Sequence, residues 1–245
     1  MKIVVVGGTG LIGSQVVARL REGGHEPLPA APSTGVNALT GEGLADALKG
    51  ADVVVDVSNS PSFDTEPALD FFTRSARNLF AAEKEAGVRH HVTLSIVGVD
   101  QVPDYGYYRA KVAQEEAVRD SGVPYSIVRA TQFFEFIAPV MDMCTEGTEV
   151  HLPSVRLRPM ASTDVATAVA EAAQAEPSYG VRNIAGPEIQ RLDRLAEITL
   201  AAKPDGRTVV TDETAGPFAG MPDVLVGDAT AHIATTRYED WLNRN

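Results

Sequence analysis

Tyr107 and Lys111 stand four residues apart in Tyr107-Tyr108-Arg109-Ala110-Lys111, a spacing that puts both on one face of a helix. A lysine ammonium beside a phenol favours the phenolate, so the expected effect is a phenol pKa drawn down from about 10. A phenol so tuned can give a proton to a carbonyl oxygen as hydride arrives, or take one in reverse. Upstream, Val92-Thr93-Leu94-Ser95 ends in a hydroxyl able to hydrogen-bond the same oxygen. Ser95, Tyr107 and Lys111 are therefore the candidate catalytic group. The competing reading is a surface pair at helical spacing, worth roughly a few tenths of a kcal/mol. Tyr108 also lies within a turn of Lys111, and it is the upstream Ser95 that favours Tyr107 as the phenol.

A second signal lies at the N-terminus, where Gly7-Gly8-Thr9-Gly10-Leu11-Ile12-Gly13 follows the apolar run Ile3–Val6 and precedes a helical pattern. Gly7 permits the tight turn, Gly10 lets the backbone approach a pyrophosphate, and Gly13 allows close packing of helix on strand. The helix start adds free N–H groups and the positive end of its dipole. Gly7, Thr9, Gly10, Leu11, Ile12 and Gly13 are thus expected to hold a nicotinamide dinucleotide. The alternative is a structural turn with no ligand, and the spacing is G-x-x-G-x-x-G, not the G-x-G-x-x-G of many dehydrogenases. An acidic residue after the second strand would select the ribose of NAD, and a nearby Arg the 2′-phosphate of NADP. Leu28–Gly35 contains neither. Ser33 and Thr34 could donate to a phosphate, which leans the choice to NADP, unless Pro32-Ser33-Thr34-Gly35 is merely a turn.

These groups need elements to position them. Short continuous apolar runs at Ile3–Val6, Val53–Val57, Val92–Ile96 and Tyr125–Ala130 read as buried parallel strands. Helical patterns at Leu11–Arg21, Pro67–Ala86 and Tyr107–Ser121 alternate with them, and Gly87 and Gly122 stand where C-cap glycines belong. The alternation predicts an α/β, Rossmann-type doubly wound parallel sheet. Only five residues separate a second strand, His25–Ala30, from Val36, too few for a parallel crossover, which needs about a dozen. Either the third strand is rudimentary or the second is misplaced. Further on, helices are expected at Asp164–Ala175 (with Ser162, Thr163 or Asp164 as N-cap), Leu192–Ala202 and Tyr238–Asn243, and strands at Val155–Leu157, Arg182–Ala185 and Thr208–Thr211. The expectation is one domain over residues 1–245, with about 131–245 contributing a small substrate cap.

Composition narrows the function. A net charge of −12 on 245 residues argues against direct nucleic-acid binding, which needs a basic face. One cysteine, Cys144, excludes an internal disulfide and fits a reducing cytoplasm; a buried bystander thiol is its expected role. Ile3–Val6 is far too short to span a bilayer and lacks a signal-peptide pattern, so no membrane association is expected. The expected state is a monomer or homodimer.

Taken together, Gly7, Gly10 and Gly13, then Ser95, then Tyr107 and Lys111 resemble the short-chain dehydrogenase/reductase superfamily over nearly the whole chain. The resemblance is closest to its atypical, NmrA-like branch, through Arg129-Ala130-Thr131-Gln132-Phe133-Phe134-Glu135-Phe136 and Asp164-Val165-Ala166. It implies that Lys111 also holds the nicotinamide ribose and that Ala130, Thr131 and Phe133 flank the nicotinamide. Where the superfamily has Asn-Asn-Ala-Gly this chain has Val57-Ser58-Asn59-Ser60, with Ser58 and Asn59 as candidate cofactor contacts, and it lacks the basic residues of many NADP-binding members.

Phe134, Phe136 and Ile137, with Phe63 and Tyr105 from loops, are candidates for an apolar substrate wall; ordinary helix core is the rival reading for Phe133, Phe134, Phe136, Ile137, Met141 and Met143. His90-His91 has no ligand cluster at metal spacing, so it is expected to be partly exposed structure and no metal is expected. Arg156 and Arg158 face one side of a strand-like segment and could greet an acidic substrate, or simply edge the sheet. Two functions remain. One is an NAD(P)H-dependent oxidoreductase acting on a small, fairly apolar carbonyl or quinone, with Tyr107 giving the proton. The other is an NAD(P)-sensing regulator of the NmrA-like kind without turnover. A nucleotide-sugar epimerase shares the motifs, but this chain's C-terminal part is short for a sugar-binding domain.

Overall fold

The computed structural model describes residues 1–244. In chain order the elements are β1 (Lys2–Val6), α1 (Leu11–Glu22), β2 (Glu26–Ala30), α2 (Leu44–Leu48), β3 (Val53–Asp56), α3 (Thr65–Ala86), β4 (His90–Ile96), α4 (Gly106–Asp120) and β5 (Tyr125–Ala130). There follow α5 (Ile137–Met143), β6 (Thr145–Glu146), β7 (Glu149–Leu152), β8 (Arg156–Leu157), α6 (Ser162–Gln174), β9 (Val181–Ala185), β10 (Gln190–Arg191), α7 (Leu192–Ala202), β11 (Thr208–Thr211), β12 (His232–Ile233) and α8 (Tyr238–Leu242).

Seven strands form one parallel sheet in the order β2-β1-β3-β4-β5-β9-β12, a Rossmann-type fold. The order reverses at β1, which has β2 on one side and β3 on the other. In such sheets the ligand crevice lies outside the carboxyl ends of the strands flanking the reversal. The loops after β1 and after β3 meet there. β1 beyond Lys2 and β3 throughout are Val/Ile-rich and buried, as strands covered on both faces must be. Val4, Val6 and Val54 pack with Leu44, Leu48 and Leu79 from α2 and α3. Each such side chain contributes roughly 1.5–3 kcal/mol on burial.

β2 stands where the sequence predicts, and the sheet stops at it. The Glu26 N–H donates to Met1 O on the β1 side, so alternation turns residues 27 and 29 outward. Both are prolines and have no N–H to offer a further strand. Beyond β2 the chain makes a short 3₁₀ turn at Pro32–Thr34 and an isolated bridge between Asn37 and Glu42, then α2. Val36 lies in no strand, so of the two alternatives it is the third strand that fails to form.

Helix ends follow their caps. Gly87 is left-handed (φ 71°) and closes α3, its N–H and that of Val88 reaching back to the Glu83 and Lys84 carbonyls. α6 begins at Ser162, so Ser162–Asp164 form its first turn and do not precede it. α2, β6, β7 and β12 are too short or too polar to stand out as periodic patterns. His90 and His91 are buried, which corrects the expectation of partial exposure. They lie on a central strand, and their ring nitrogens bond Ser126 and Glu83.

The chain divides into two compact units. One comprises Met1–Arg129 and Val165–Arg182; the other comprises Ala130–Asp164 and the chain from Asn183 onward. The second holds the small sheet β6-β7-β11, the β8–β10 pair and an aromatic cluster of Phe134, Tyr238 and Trp241.

Candidate functional site

The glycine turn links β1 to α1 and is shaped for a ligand's close approach. Gly7 has φ +78°, and a Cβ there would come within 2.9 Å of the Ser58 backbone, so the loops after β1 and β3 pack main chain to main chain. A Cβ on Gly13 would collide with Gly7 O, which forces glycine where α1 meets the turn. Gly10 differs: a Cβ there would meet only Gly7 O, at 3.3 Å. That contact is tight but single, and otherwise open space lies beside Gly10, at the N-cap of α1. The N–H groups of Leu11, Ile12 and Gly13 point out of the first turn without intrahelical acceptors. This cradle fits a dinucleotide pyrophosphate. Thr9 and Ser33 approach each other, hydroxyl to hydroxyl, at 3.5 Å on the exposed rim. The Thr34 hydroxyl is turned back to its own loop, near Pro29 O (3.1 Å) and Ala31 O (2.9 Å), and is committed there.

Tyr107, at the start of α4, is buried, and its hydroxyl donates to Asn59 Oδ1 in the loop after β3. Phe63 and Phe72 flank its ring at 5.1 and 6.0 Å between centroids. Burial pushes the phenol well above the ordinary tyrosine range, opposed by the bond to Asn59. This corrects the expectation that Lys111 draws the phenol down. Lys111 is on the same helix, but its ammonium donates to Leu94 O (2.9 Å) and to Gln114 Oε1 and sits 4.6 Å above the Phe72 ring. Burial lowers Lys111 to about 8, offset by the charges of Asp56 and Glu115.

Ser95 does not join Tyr107. Its Oγ is buried with no partner at hydrogen-bond distance among the described residues. It lies close enough to Glu115 to help Arg129 hold that carboxyl below the usual range, against the opposing effect of burial. Glu115 in turn grips Arg129, which also reaches Asp100 at 3.0 Å.

Three participants were not singled out from sequence: Asp56, Gln114 and Phe72. Asp56 accepts from Ser58 N (3.0 Å) and Ser58 Oγ (2.6 Å) through Oδ1, and from Gln114 Nε2 (2.8 Å) through Oδ2. A carboxylate ending the apolar run Val53–Asp56 was a readable signal, as was Gln114 one helical turn beyond Lys111.

Around this group, Phe63 is 62% exposed beside Tyr107, and Tyr105 packs edge-on against Tyr108 at 5.0 Å. Within the second unit, Ala130 is buried and Thr131 Oγ1 donates to Arg158 O (2.6 Å). Phe134 and Ile137 are interior, as the helix-core alternative has it, whereas Phe133 stacks on the exposed ring of Phe136 at 5.4 Å. Arg156 pairs with Asp223, and Arg158 Nε donates to Gly186 O (2.8 Å). The buried Cys144 thiol is pushed up by desolvation. Among the described residues no group of three or more His, Cys, Asp or Glu could hold a metal ion, and no helix is long and apolar enough to cross a membrane.

Fold and turn together define a dinucleotide-binding protein of Rossmann type. The chain belongs to the NAD(P)H-binding family, whose sequence model matches residues 7–176. It is 37% identical over 145 residues to the (4-alkanoyl-5-oxo-2,5-dihydrofuran-3-yl)methyl phosphate reductase of Streptomyces griseus, covering 54% of this chain and 48% of that protein. It is 25% identical over 161 residues to the photosystem II assembly factor Ycf39 of Synechocystis, covering 58% of this chain and 49% of that one. The chain thus spans about half the length of the curated relatives it matches. In fold it is similar to the NADPH-dependent quinone oxidoreductase of Escherichia coli, solved with NADPH, at a TM-score of 0.73 and 20% identity over 99% of each chain.

Proposed function

We propose that this protein is an NAD(P)H-dependent oxidoreductase that reduces a small, fairly apolar carbonyl or quinone, with Tyr107 as the proton donor. The observation that carries the reading is the Tyr107–Asn59 contact, which brings a buried, protonated phenol to the loop that packs against the glycine turn. The open space at Gly10 and the N–H groups of Leu11, Ile12 and Gly13 would hold the pyrophosphate, with Ser58 and Asn59 bordering it. Bound there, the nicotinamide supplies the hydride. Tyr107 Oη gives its proton to the substrate oxygen, exchanging Asn59 Oδ1 for that oxygen as acceptor. A phenol held above its ordinary range stays protonated at neutral pH, which suits reduction better than the reverse reaction. Lys111, one turn along the same helix, would bring its charge to bear on the phenolate left behind, a smaller effect than the desolvation that holds the resting phenol up. The exposed ring of Phe63 beside Tyr107 suits an apolar, flat acceptor. Ser33 at the rim beside Thr9, with no carboxylate near it in sequence, supports NADP(H) over NAD(H).

A second reading is a dinucleotide-binding regulator without turnover, favoured by the likeness to a protein named as an assembly factor. A panel of aldehydes, ketones and quinones, followed by loss of NADPH and NADH absorbance, separates the two. Oxidation of NADPH with at least one acceptor is expected. Tight binding with no oxidation across the panel would favour the regulator.

A further inference from the structure

Asp56 carries a role that neither the glycine turn nor the Tyr/Lys pair explains. It ends β3 at the sheet's reversal point, it is 5% exposed, and each of its oxygens serves a different half of the site. Oδ1 takes both the N–H and the hydroxyl of Ser58, which fixes the loop whose next residue, Asn59, accepts the hydrogen bond of the Tyr107 hydroxyl. Oδ2 takes the Gln114 amide N–H, which leaves Gln114 Oε1 directed at the Lys111 ammonium. An amide bound through its nitrogen on one side must present oxygen on the other. The carboxylate therefore dictates which way Gln114 faces, and through it how Lys111 is held. Lys111, Gln114 and Asp56 are all buried, where an unsatisfied or misdirected polar group is costly.

We propose that Asp56 is the positioning residue of this site, one carboxylate that orients the Asn59 acceptor for Tyr107 and, through Gln114, the Lys111 ammonium. The proposal rests on the oxidoreductase reading for its catalytic consequence, but the orientation of Lys111 can be measured without any turnover. Asp56 and Glu115 are the acidic groups whose charges act on Lys111, so removing the first should be felt at the ammonium.

The test exploits the direction of the relay. In Asp56→Asn the new amide can still accept from Ser58, but it turns an N–H₂ towards Gln114. Gln114 must then reverse and face Lys111 with its own N–H₂, donor against donor. In the double variant Asp56→Asn/Gln114→Glu the carboxylate is moved one position along the relay, where it can accept from the new amide and from Lys111 at once. Titration of the Lys111 side chain by ¹⁵N/¹³C NMR should show the ammonium of Asp56→Asn losing its proton about one pH unit earlier than wild type. The double variant should return to the wild-type value or above it. If the wild type reduces an acceptor, kcat should fall in the single variant with the dinucleotide Kd little changed, and recover in the double. An unchanged Lys111 titration in Asp56→Asn overturns the proposal, as does a double variant that titrates no higher than the single. So does failure of both variants to fold, the mark of a carboxylate with a structural role alone. A wild type without turnover that gives the expected titrations rejects the oxidoreductase reading and leaves the Asp56 relay standing.

Discussion

The Tyr107 hydroxyl has Asn59 as its acceptor and the rings of Phe63 and Phe72 around it, so desolvation outweighs any nearby positive charge. Tyr-x-x-x-Lys spacing locates both residues on α4, but spacing does not say where a flexible lysine ends. Here it ends on Leu94 O, Gln114 and the Phe72 ring, none of them near it in a way the motif reveals except Gln114. Tyr107→Phe should leave dinucleotide affinity intact and lower turnover by roughly 100- to 10,000-fold, the usual contribution of a positioned acid. Steady-state kinetics beside calorimetry would check it, and full rate in the variant would remove Tyr107 from the reaction. Lys111 predicts a pH dependence of the same step. Its ammonium, lowered to about 8 by burial, is charged at neutral pH and loses its proton as pH rises through that value. The kcat for reduction should accordingly fall above about pH 8, whereas a profile flat to pH 10 would deny the ammonium a role.

At the scale of elements, β1, the glycine turn and α1 were legible because each obeys a local rule: an apolar run, three spaced glycines, then a helical period. Pro27 and Pro29 mark the edge of the sheet, but their meaning depends on which way β2 faces β1 and so emerges only from the structure. Asp56 and Gln114 offered only residue type and position; their pairing, across 58 residues, exists only once β3 and α4 pack. Gly10→Val tests the turn directly. The added Cβ presses on Gly7 O alone, and the rest of the side chain would fill the space a pyrophosphate needs, so dinucleotide binding should be lost with a modest change in melting temperature. Undiminished affinity would put the ligand elsewhere. On β4, burial and the neighbouring His91 lower His90 to about 4, against 6.5 for the free side chain. The unfolded chain then takes up that proton first on acidification, so the stability present above pH 6.5 is lost between pH 6.5 and about 4. His90→Gln should flatten this part of the melting-temperature profile, and an unchanged slope would assign the acid sensitivity to other groups.

For the whole molecule, the family match gives a nicotinamide dinucleotide as the ligand class, and the Rossmann order agrees with it. The C-terminal third was legible only in part. Leu192–Ala202 and Thr208–Thr211 form as their patterns dictate, but α5, β6 and β7 are brief elements held by packing within the second unit. Cofactor choice belongs to this scale as well: calorimetry should find NADP(H) bound more tightly than NAD(H), and a clear preference for NADH would reverse that assignment. The most direct trial of the account is a comparison of NADPH with NADPH deuterated at the transferred position, using whichever carbonyl or quinone the wild-type protein reduces. The cofactor is expected to be oxidised, with deuterium slowing its oxidation. NADPH that binds but stays unoxidised with every acceptor, or whose oxidation is indifferent to deuterium at either position of the transferring carbon, would contradict hydride transfer by this protein.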